Sequence, residues 1–393
     1  MQPAQFRNND VLPVGDLGII ALPSCKALGE KINNHIVSWR SERDHEYSQA
    51  PELIGYSRDS YLVPVSLPRF GSGEGKGQVF SSVRGDDLYL IVDVCNHSIT
   101  YSMGGSMNRM SPDDHYQDLK RIISAIGGKA RRITVIMPYL DESRQLTRSG
   151  RESLDCAMAL QELIRMGVNN IVTFDAHDDR VQNAIPLYGF ESYRPAYQFI
   201  KGIFRACPDV DFSPEHMMVI SPDENGTKRA IYMANVLGID MGMFYRRRDY
   251  TRIVNGTNPV VAYEFLGAEL GGRDVIIIDD MISSGDSVLE VASEMKRRNA
   301  GRVFICATFG LFTDGLDKFD RAYEEGVFHS LLTTNLVYQP PELLSRSYYT
   351  GCDMSKFIAL IIDTMNHNGT VSTLLDPIDR INRFLEKKGY PRK

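Results

Sequence analysis

Two adjacent aspartates, Asp279 and Asp280, stand between an apolar run and a serine- and glycine-containing loop in the segment VIIIDDMISSGDSVLEVA, residues 275–292. The β-branched residues before them are typical of a buried strand, and the apolar residues after Ser287 have helical spacing. A strand-to-helix loop offers backbone N–H groups and the positive end of a helix dipole to an anion. Carboxylates repel a phosphate but accept hydrogen bonds from vicinal hydroxyls. The segment therefore favours a ligand with a diol and a phosphate, such as ribose 5-phosphate. The alternative is an ordinary turn in which Ser284 or Ser287 caps the helix.

The composition is that of a globular protein without a bias toward nucleic acid or membrane. Of 393 residues, 43% are hydrophobic and 24% are charged, and the net charge is −6. An acidic chain gives no support to general nucleic-acid binding. No apolar run is long enough to span a membrane, the N-terminus lacks a signal-peptide core, and the six cysteines form no C-x-x-C pair. We therefore expect a cytoplasmic protein with reduced thiols and with neither membrane nor nucleic acid as a partner.

Strand-like runs alternate with helical patterns along the whole chain. The first half contains LGIIALP, LYLIVDV, RITVIMP and NIVTFDAH, and the second half contains MMVISPD, MGMFYRR, DVIIIDD and RVFICATFG. This alternation predicts an α/β fold with mainly parallel sheets flanked by helices. A passage rich in Gly, Pro and aromatic residues, LYGFESYRPAY, predicts a domain boundary at residues 193 and 194. Two polar stretches with little periodicity, near residues 40–62 and 96–114, are interpreted as insertions.

Polar residues follow two other predicted strands. NIVTFDAHDD ends with Asp175 and His177, and MMVISPDENGTKRA places Asp223 after its apolar run. An imidazole and carboxylates at neighbouring strand ends can hold a hydrated Mg²⁺ that also contacts substrate phosphates. The alternatives are that His177 is a hydrogen-bonded structural residue and that Asp178 and Asp179 cap the helix that follows.

A basic stretch, MFYRRRDYTR, contains Arg246, Arg247, Arg248 and Arg252. Arginine presents a fork of donors suited to phosphate oxygens, so a segment of this kind can close over a triphosphate. A solvated strand end is the alternative interpretation. The stretch RFGSGEGKG is not a P-loop, because its spacing is one residue short and Gly77 takes the Ser or Thr position.

Most of the chain, from IIALPSCKALGEKI to NHNGTVSTLL, resembles the ribose-phosphate diphosphokinase (phosphoribosyl pyrophosphate synthetase) family. The matching blocks are RFGSGE, SSVRGDDLYL, MPYLDESRQ, TFDAHDDRVQ, SPDENGTKRA, IDDMISSGDS and TTNLV. The resemblance implies two tandem phosphoribosyltransferase-type domains, residues 1–193 with the ATP loops and residues 194–393 with the ribose 5-phosphate loop. It also implies transfer of the diphosphoryl group of ATP to C1 of ribose 5-phosphate, with release of AMP.

The resemblance assigns roles to individual residues. The residues implied to bind ATP are Phe70, Ser72, Glu74, Arg144 and Gln145. Those implied to bind ribose 5-phosphate are Asp279, Asp280, Ser283, Ser284, Gly285 and Ser287. His177 and Asp223 are the implied Mg²⁺ residues, and Arg246 and Arg248 are the implied catalytic residues. In the family the loop that contacts adenine reaches the active site of a neighbouring subunit, which implies a homo-oligomer built from dimers, with a hexamer as one form.

The chain departs from the family pattern at several of these positions. Arg246 stands where the family usually has lysine, and a planar guanidinium is bulkier than an ammonium group. Ser72 replaces Asn or Asp, Glu224 and Asn225 replace small residues in the phosphate turn, and LTRSGRES follows the Arg-Gln pair in place of a longer basic run. Two alternatives to an active diphosphokinase therefore stay open: a catalytically weakened regulatory relative, and a phosphoribosyltransferase.

Overall fold

The computed structural model describes residues 12–47, 56–145, 148, 150–248 and 260–390. Two compact units contain them. Unit 1 comprises the described residues up to Arg194 together with Asn335–Tyr338 and Asp353–Asp376. Unit 2 comprises Pro195–Thr334, Gln339–Cys352 and the described residues from Pro377 onward. The functional division at residues 193 and 194 stays a prediction.

Unit 1 contains a parallel five-stranded sheet in the order β1-β4-β7-β8-β9. Its strands are β1 (Leu17–Ala21), β4 (Asp87–Ile91), β7 (Arg132–Ile136), β8 (Asn170–Phe174) and β9 (Gly189–Tyr193). Two antiparallel hairpins accompany the sheet, β2 (Val65–Ser66) with β3 (Gln78–Val79) and β5 (Thr100–Met103) with β6 (Ser106–Arg109). The helices are α1 (Lys26–Tyr47), α2 (Pro112–Ile126), α3 (Asp155–Arg165), α9 (Ser355–Asn366) and α10 (Ser372–Leu375), with short 3-10 turns at Pro23–Cys25 and Asp179–Ala184.

The sequence pattern explains how the sheet of unit 1 is covered. The apolar faces of α2 and α3 share one buried cluster with alternate residues of the strands, such as Leu88 and Leu90 of β4. On α9, the ring of Phe357 contacts Phe174 and Tyr193 at centroid distances of 6.3 and 5.6 Å. Since parallel strands are buried on both faces, they read as nearly continuous apolar runs.

Unit 2 contains a seven-stranded sheet in the order β12-β11-β10-β13-β14-β15-β16. Its strands are β10 (Met217–Ser221), β11 (Asp240–Arg248), β12 (Val260–Leu266), β13 (Asp274–Ile282), β14 (Val303–Gly310), β15 (Ser330–Thr334) and β16 (Tyr349–Cys352). Only the pair of β11 and β12 is antiparallel among these described strands. The helices are α4 (Ala196–Ala206), α5 (Thr227–Leu237), α6 (Asp286–Arg297), α7 (Asp317–Glu324), α8 (Pro341–Leu344) and α11 (Ile378–Glu386).

Helices cover both faces of the sheet in unit 2. Met217 and Val219 pack into the cluster formed with α4, α5 and α11, whereas Met218 and Ile220 pack into the cluster formed with α6 and α7. The α/β prediction with mainly parallel sheets flanked by helices is confirmed. Within the described part of the chain, no helix is both long enough and apolar enough to cross a membrane.

A buried ion pair joins the first helix of unit 1 to the segment 353–376. The guanidinium of Arg40 on α1 donates to the carboxylate of Asp363 on α9 at 3.2 Å, and both side chains are almost fully buried. Burial raises the pKa of Asp363, but Arg40 and Arg43 outweigh this effect and hold the pKa below its ordinary value. The pair therefore requires α9 to pack against α1.

Replacing Arg40 with leucine tests this pair. Removing one partner of a buried ion pair costs about 3 kcal/mol, so the free energy of unfolding in urea near pH 7 should fall by that amount. Because the carboxyl pKa of Asp363 is depressed in the folded protein, its contribution exists above the unfolded pKa of about 3.9 and disappears as pH falls through the folded pKa. The difference in the free energy of unfolding between Arg40→Leu and the wild type should therefore become smaller as the pH falls to about 3.

Lys31 supplies a matched control, because it pairs with Asp353 of the same segment at 3.0 Å but is 56% exposed. Lys31→Leu should change the free energy of unfolding by less than about 0.5 kcal/mol. Equal effects of the two substitutions would contradict the role assigned to the buried pair.

Candidate active site

The adjacent aspartates of unit 2 lie inside a strand and not in the loop that follows it. The apolar run predicts a strand that ends at residue 278, but β13 continues to Ile282 because Asp279, Met281 and Ile282 pair with β14. The loop is correspondingly shorter, and α6 begins at Asp286. Pairing with the neighbouring strand decides where β13 ends, and periodicity along one segment does not report that pairing.

Gly285 is the N-cap residue of α6. Its φ of 92° lies in the left-handed region, and a Cβ at this position would collide with the ring of Phe319. Gly285, and neither Ser284 nor Ser287, occupies the N-cap position, and the hydroxyl of Ser284 accepts the N–H of Asp286, the first residue of α6, at 3.4 Å. The first N–H groups of an α-helix have no partner within the helix and are available to an anion.

An additional carboxylate, that of Asp286, lies at the first position of α6. It accepts hydrogen bonds from the hydroxyl of Ser284 at 2.9 Å and from the ammonium of Lys318 at 2.7 Å. These two donors, with Lys318 as the larger effect, hold the pKa of Asp286 below its ordinary value. Lys318 also donates to Asp314 at 3.1 Å. Lys318 therefore supplies the positive charge beside an acidic group in a loop predicted to bind phosphate.

The buried Arg229 faces the acidic pair. Asp280 is 4% exposed, and one of its oxygens lies 3.5 Å from the guanidinium of Arg229, which is itself 8% exposed. Burial raises the pKa of Asp279 well above its ordinary value and the neighbouring Asp280 raises it further, whereas Arg229 opposes both effects. Arg229 thus favours the charged form of carboxylates that burial would otherwise neutralise.

Asp223 begins a tight turn after β10, the strand that pairs with β13. Its carboxylate accepts the backbone N–H groups of Asn225 and Gly226, each at 3.0 Å. This turn starts α5, the helix that carries Arg229. The charge of Asp223 also raises the pKa of Asp279, so the structure brings Asp223 and the acidic pair to one edge of the sheet.

In unit 1, the predicted ATP-binding residues of RFGSGE form a tight loop between β2 and β3. We call Phe70–Glu74 the ATP loop. The N–H of Phe70 donates to the carbonyl of Glu74 at 2.8 Å, and the N–H of Gly73 donates to the carbonyl of Phe70 at 2.8 Å. The hydroxyl of Ser72 donates to the Glu74 carboxylate at 2.8 Å. The Phe70 ring is 57% exposed, so the loop presents an aromatic face and a carboxylate to solvent.

A buried ion pair fixes the base of the ATP loop. Both terminal nitrogens of Arg69 donate to the carboxylate of Asp118 on α2, at 2.5 and 2.9 Å. Asp118 is 3% exposed and also accepts a hydrogen bond from Arg121 at 2.7 Å. This fork-to-carboxylate geometry fixes both the position and the orientation of Arg69.

Arg144 and Gln145 lie in the turn that follows β7, and both are exposed. The N–H of Gln145 donates to the carbonyl of Glu142 at 2.8 Å, and Glu142 has a φ of 53°. The preceding Asp141 is buried, and burial followed by the charge of Glu142 raises its pKa to about 7. The turn therefore presents the Arg-Gln pair on a constrained backbone.

His177 lies after β8 and is half-buried. Asp175, two residues earlier, has a φ of 42°, and its N–H donates to the carbonyl of Tyr193 at 2.8 Å. Asp178 caps the 3-10 turn by accepting the N–H of Arg180 at 2.9 Å, so capping is confirmed for Asp178. Across the described ranges, no group of three or more His, Cys, Asp or Glu side chains is arranged to hold a metal ion.

Two domain models match the chain. The model for the N-terminal domain of ribose phosphate pyrophosphokinase matches residues 17–167, and the model for the phosphoribosyl transferase domain matches residues 195–343. The chain belongs to the ribose-phosphate pyrophosphokinase family. The sequence-based resemblance is confirmed, and so are the two tandem phosphoribosyltransferase-type domains.

Curated relatives extend the match over most of the chain. Ribose-phosphate pyrophosphokinase of Vibrio parahaemolyticus is 26% identical over 335 residues, which cover 83% of this chain and 96% of the relative. The protein of the same name from Mycoplasma genitalium is 27% identical over 273 residues, 69% of this chain and 74% of the relative. In fold, the chain is similar to the crystal structure of phosphoribosylpyrophosphate synthetase from Mycobacterium smegmatis, with a TM-score of 0.68 and 20% identity over 90% of this chain and 100% of that chain.

The site residues that the family resemblance predicts for this chain are divided between the two units. Unit 1 contains Phe70, Ser72, Glu74, Arg144, Gln145 and His177. Unit 2 contains Asp223, Arg246, Arg248 and the predicted ribose 5-phosphate residues Asp279, Asp280, Ser283, Ser284, Gly285 and Ser287. The backbone of Arg246 and Arg248 lies at the end of β11, where the pairing with β12 shifts register. Their side chains and the whole of Arg252 lie outside the described residues. The individual roles of all these residues stay predictions.

The sequence pattern assigned no role to two cations, Arg229 and Lys318. Arg229 is part of the family block SPDENGTKRA, and its position in the first turn of a helix after an acidic strand end is the signal that was available. Lys318 carried no local signal, because it lies 32 residues from Asp286 along the chain.

Arg229→Leu should destabilise the protein, because it removes the cation that faces the buried carboxylates. We expect a loss of about 3 kcal/mol in the free energy of unfolding near neutral pH. Without Arg229 the folded-state pKa of Asp279 rises further, so the folded protein binds protons more tightly than the unfolded chain and loses stability as pH rises. The loss in Arg229→Leu should therefore be larger at a pH of about 8 than at about 5, measured by urea denaturation.

The adjacent Lys228 is exposed on the same helix and provides the control. Lys228→Leu should change the free energy of unfolding by no more than about 0.5 kcal/mol at either pH. A loss in Arg229→Leu that does not depend on pH would argue against the charge interaction.

Proposed function

We propose that the protein is a ribose-phosphate diphosphokinase, which transfers the diphosphoryl group of ATP to ribose 5-phosphate and yields phosphoribosyl pyrophosphate and AMP. The curated relatives carry the name of this activity. The observation that carries the proposal is the acidic pair opposite Arg229 at the start of the loop before α6. That arrangement matches a sugar phosphate with a vicinal diol.

Ribose 5-phosphate is bound by unit 2 in this proposal. The side chains of Asp279 and Asp280 accept hydrogen bonds from the ribose hydroxyls, and Arg229 opposes the rise that burial causes in the pKa of Asp279. The 5-phosphate binds the backbone N–H groups and hydroxyls of residues 283–287 at the start of α6. Lys318 offsets the repulsion between Asp286 and that phosphate.

ATP is bound through the loops of unit 1. The exposed ring of Phe70 stacks on the adenine, and the carboxylate of Glu74 accepts a hydrogen bond from the amino group of the base. Ser72 orients that carboxylate through its hydrogen bond to Glu74. Arg144 and Gln145 bind the phosphates, for which a guanidinium fork and an amide are suitable donors.

Mg²⁺ is the proposed cofactor. Asp223, Asp279 and Asp280 lie at one edge of the sheet, where burial first and then the neighbouring carboxylates raise the pKa of Asp279, and a divalent cation there would favour the charged forms. Mg²⁺ in such enzymes is held by one or two carboxylates with water and substrate phosphates, so it needs no full protein cage. Asp223 is the residue of unit 2 that would hold it, and the family resemblance implies His177 of unit 1 as a further Mg²⁺ residue. When bound, it would supply positive charge to the phosphate oxygens.

The reaction in this proposal joins the C1 oxygen of ribose 5-phosphate to the β-phosphorus of ATP. The bond between that phosphorus and the α-β bridging oxygen breaks, AMP leaves with the bonding electrons, and the C1 hydroxyl loses its proton. Arg246 and Arg248 stabilise the negative charge on the transferring group. The active protein is a homo-oligomer built from dimers and acts in the cytoplasm, where its six unpaired cysteines are expected.

The first test is AMP formation from ATP, ribose 5-phosphate and Mg²⁺. Asp280→Ala should weaken ribose 5-phosphate binding at least tenfold more than ATP binding, because a lost charged hydrogen-bond partner costs about 1.5–3 kcal/mol and adenine does not contact it. Separate calorimetric titrations with each substrate measure both affinities. Asp314→Ala, which removes an exposed partner of Lys318, is the control and should leave the ATP affinity unchanged. Equal losses of affinity for ribose 5-phosphate and ATP in Asp280→Ala would refute the assignment of the acidic pair to ribose 5-phosphate binding.

Arg246 decides between an active enzyme and the weakened regulatory relative. Arg246→Ala should lower kcat by about 10²-fold with little change in substrate affinity, as expected for a contact made mainly in the transition state. Arg246→Lys should retain or raise kcat, because it keeps the charge. A wild-type protein that binds both substrates but forms AMP only after Arg246→Lys would instead identify a regulatory relative. Release of pyrophosphate from phosphoribosyl pyrophosphate and a base would indicate a phosphoribosyltransferase.

A further inference from the structure

The hairpin of β5 and β6 lies within the second predicted insertion, between β4 and α2 of unit 1. We call Thr100–Arg109 the flanking hairpin. Its two ends meet where the N–H of Met110 donates to the carbonyl of Ile99 at 2.9 Å. Just outside it, the ring of the buried His115 bonds to the carbonyl of the buried Asn96 at 2.8 Å. The hairpin is therefore held at its base on the rigid start of α2.

The flanking hairpin contacts the ATP loop through its backbone and through Met103. The N–H of Gly104 donates to the carbonyl of Gly71 at 3.1 Å. The side chain of Met103 occupies the space beside Gly73, where an added Cβ would lie 2.6 Å from the sulfur. Gly73 has a φ of 92°, which favours glycine at this position. One residue of the ATP loop thus combines a left-handed backbone with close packing against the hairpin.

A third contact reaches the anchor of the ATP loop. The guanidinium carbon of Arg69 lies 5.2 Å from the centroid of the Tyr101 ring, a distance typical of a cation–π contact. Arg69 is the residue whose buried pair with Asp118 fixes the base of the loop. The flanking hairpin therefore contacts the ATP loop both at its tip and at its base.

These contacts matter because they add to the internal hydrogen bonds of an ATP loop whose tip is mostly exposed. Gly71 and Gly73 carry no side chains, and Phe70, Ser72 and Glu74 are exposed. A loop of this composition loses much backbone freedom when it binds a ligand, and that loss weakens affinity. A neighbour that already restricts the loop lowers the cost of binding.

We propose that the flanking hairpin holds the ATP loop in its nucleotide-binding conformation and that Met103 is a positioning residue for the adenine nucleotide. The inference rests on the proposed function for the identity of the nucleotide. Met103 acts through the backbone of Gly73, whose N–H donates to the carbonyl of Phe70 and thereby restrains the backbone that carries the Phe70 ring. The hairpin thereby gives the second insertion a role in nucleotide recognition.

The test is calorimetric titration of the full-length protein with ATP and, separately, with ribose 5-phosphate, both with Mg²⁺. Met103→Ala should weaken ATP binding about fivefold to tenfold, which corresponds to renewed freedom of the loop. The affinity for ribose 5-phosphate and the Tm should stay at their wild-type values. Met103→Leu refills the space beside Gly73 and should restore the ATP affinity to within about twofold.

Met107 is the matched control, because it is a methionine of the same hairpin and is 70% exposed. Met107→Ala should leave both affinities unchanged. An unchanged ATP affinity in Met103→Ala would overturn the inference. So would a parallel loss of ATP affinity, ribose 5-phosphate affinity and Tm, since that pattern indicates a general structural role.

The outcome separates this inference from the proposed function. A wild-type protein that binds ATP but forms no AMP refutes the diphosphokinase activity, and the ATP titrations of the Met103 variants still decide the role of the hairpin. A wild-type protein that binds no ATP overturns both. If Met103→Ala fails to fold, Tyr101→Ala provides the test, because it removes the ring over Arg69 and should weaken ATP binding, whereas Tyr101→Phe keeps the ring and should keep the affinity. Equal ATP affinities of Tyr101→Ala and Tyr101→Phe would then overturn the inference.

Discussion

Two adjacent carboxyl groups placed where little water reaches them are the constraint around which unit 2 is organised. Asp280 is 4% exposed and burial raises the pKa of Asp279, so the pair requires a cation nearby. Arg229 provides it from the first turn of α5, and that turn starts with the backbone hydrogen bonds of Asp223. Asp223 in turn lies beside the pair only because β10 and β13 are adjacent and parallel. Strand order, helix start and charge are thus linked at one edge of the sheet, as expected for ligand sites at the carboxyl ends of parallel strands.

Unit 1 uses buried ion pairs in the same way. The pair of Arg69 and Asp118 fixes the base of the ATP loop, Phe70–Glu74. The pair of Arg40 and Asp363 requires the segment 353–376 to pack with α1. A buried ion pair adds little net stability compared with apolar packing of similar volume, but breaking it is costly. Such pairs therefore penalise alternative arrangements of the loop and of the segment. This property suits elements that must present side chains to a ligand in one orientation.

Two features to which the sequence pattern assigned no role contact residues of the predicted binding loops. Asp286 adds a carboxylate to a loop proposed to bind phosphate, and the ammonium of Lys318 lies 2.7 Å from it. The second insertion, which has no periodic pattern in the sequence, folds into a hairpin whose Gly104 bonds to Gly71 of the ATP loop. No contact is described for the side chain of Arg246, because that side chain lies outside the described residues. The contact between Lys318 and Asp286 acts on the electrostatics of its loop, and the contact between Gly104 and Gly71 acts on the conformation of the ATP loop.

The sequence by itself determined the α/β class, the mainly parallel sheets and the serine- and glycine-containing loop before α6, because apolar periodicity and turn residues are local properties of the chain. It also identified the family, since the matching blocks keep their order. Only the tertiary structure decided that β13 continues through Asp279 to Ile282, that Lys318 pairs with Asp286, and that residues 353–376 belong to unit 1. Each of these depends on a partner that is distant along the chain. Strand pairing and ion pairing are set by distance in space, and the pattern within one segment carries no information about that distance.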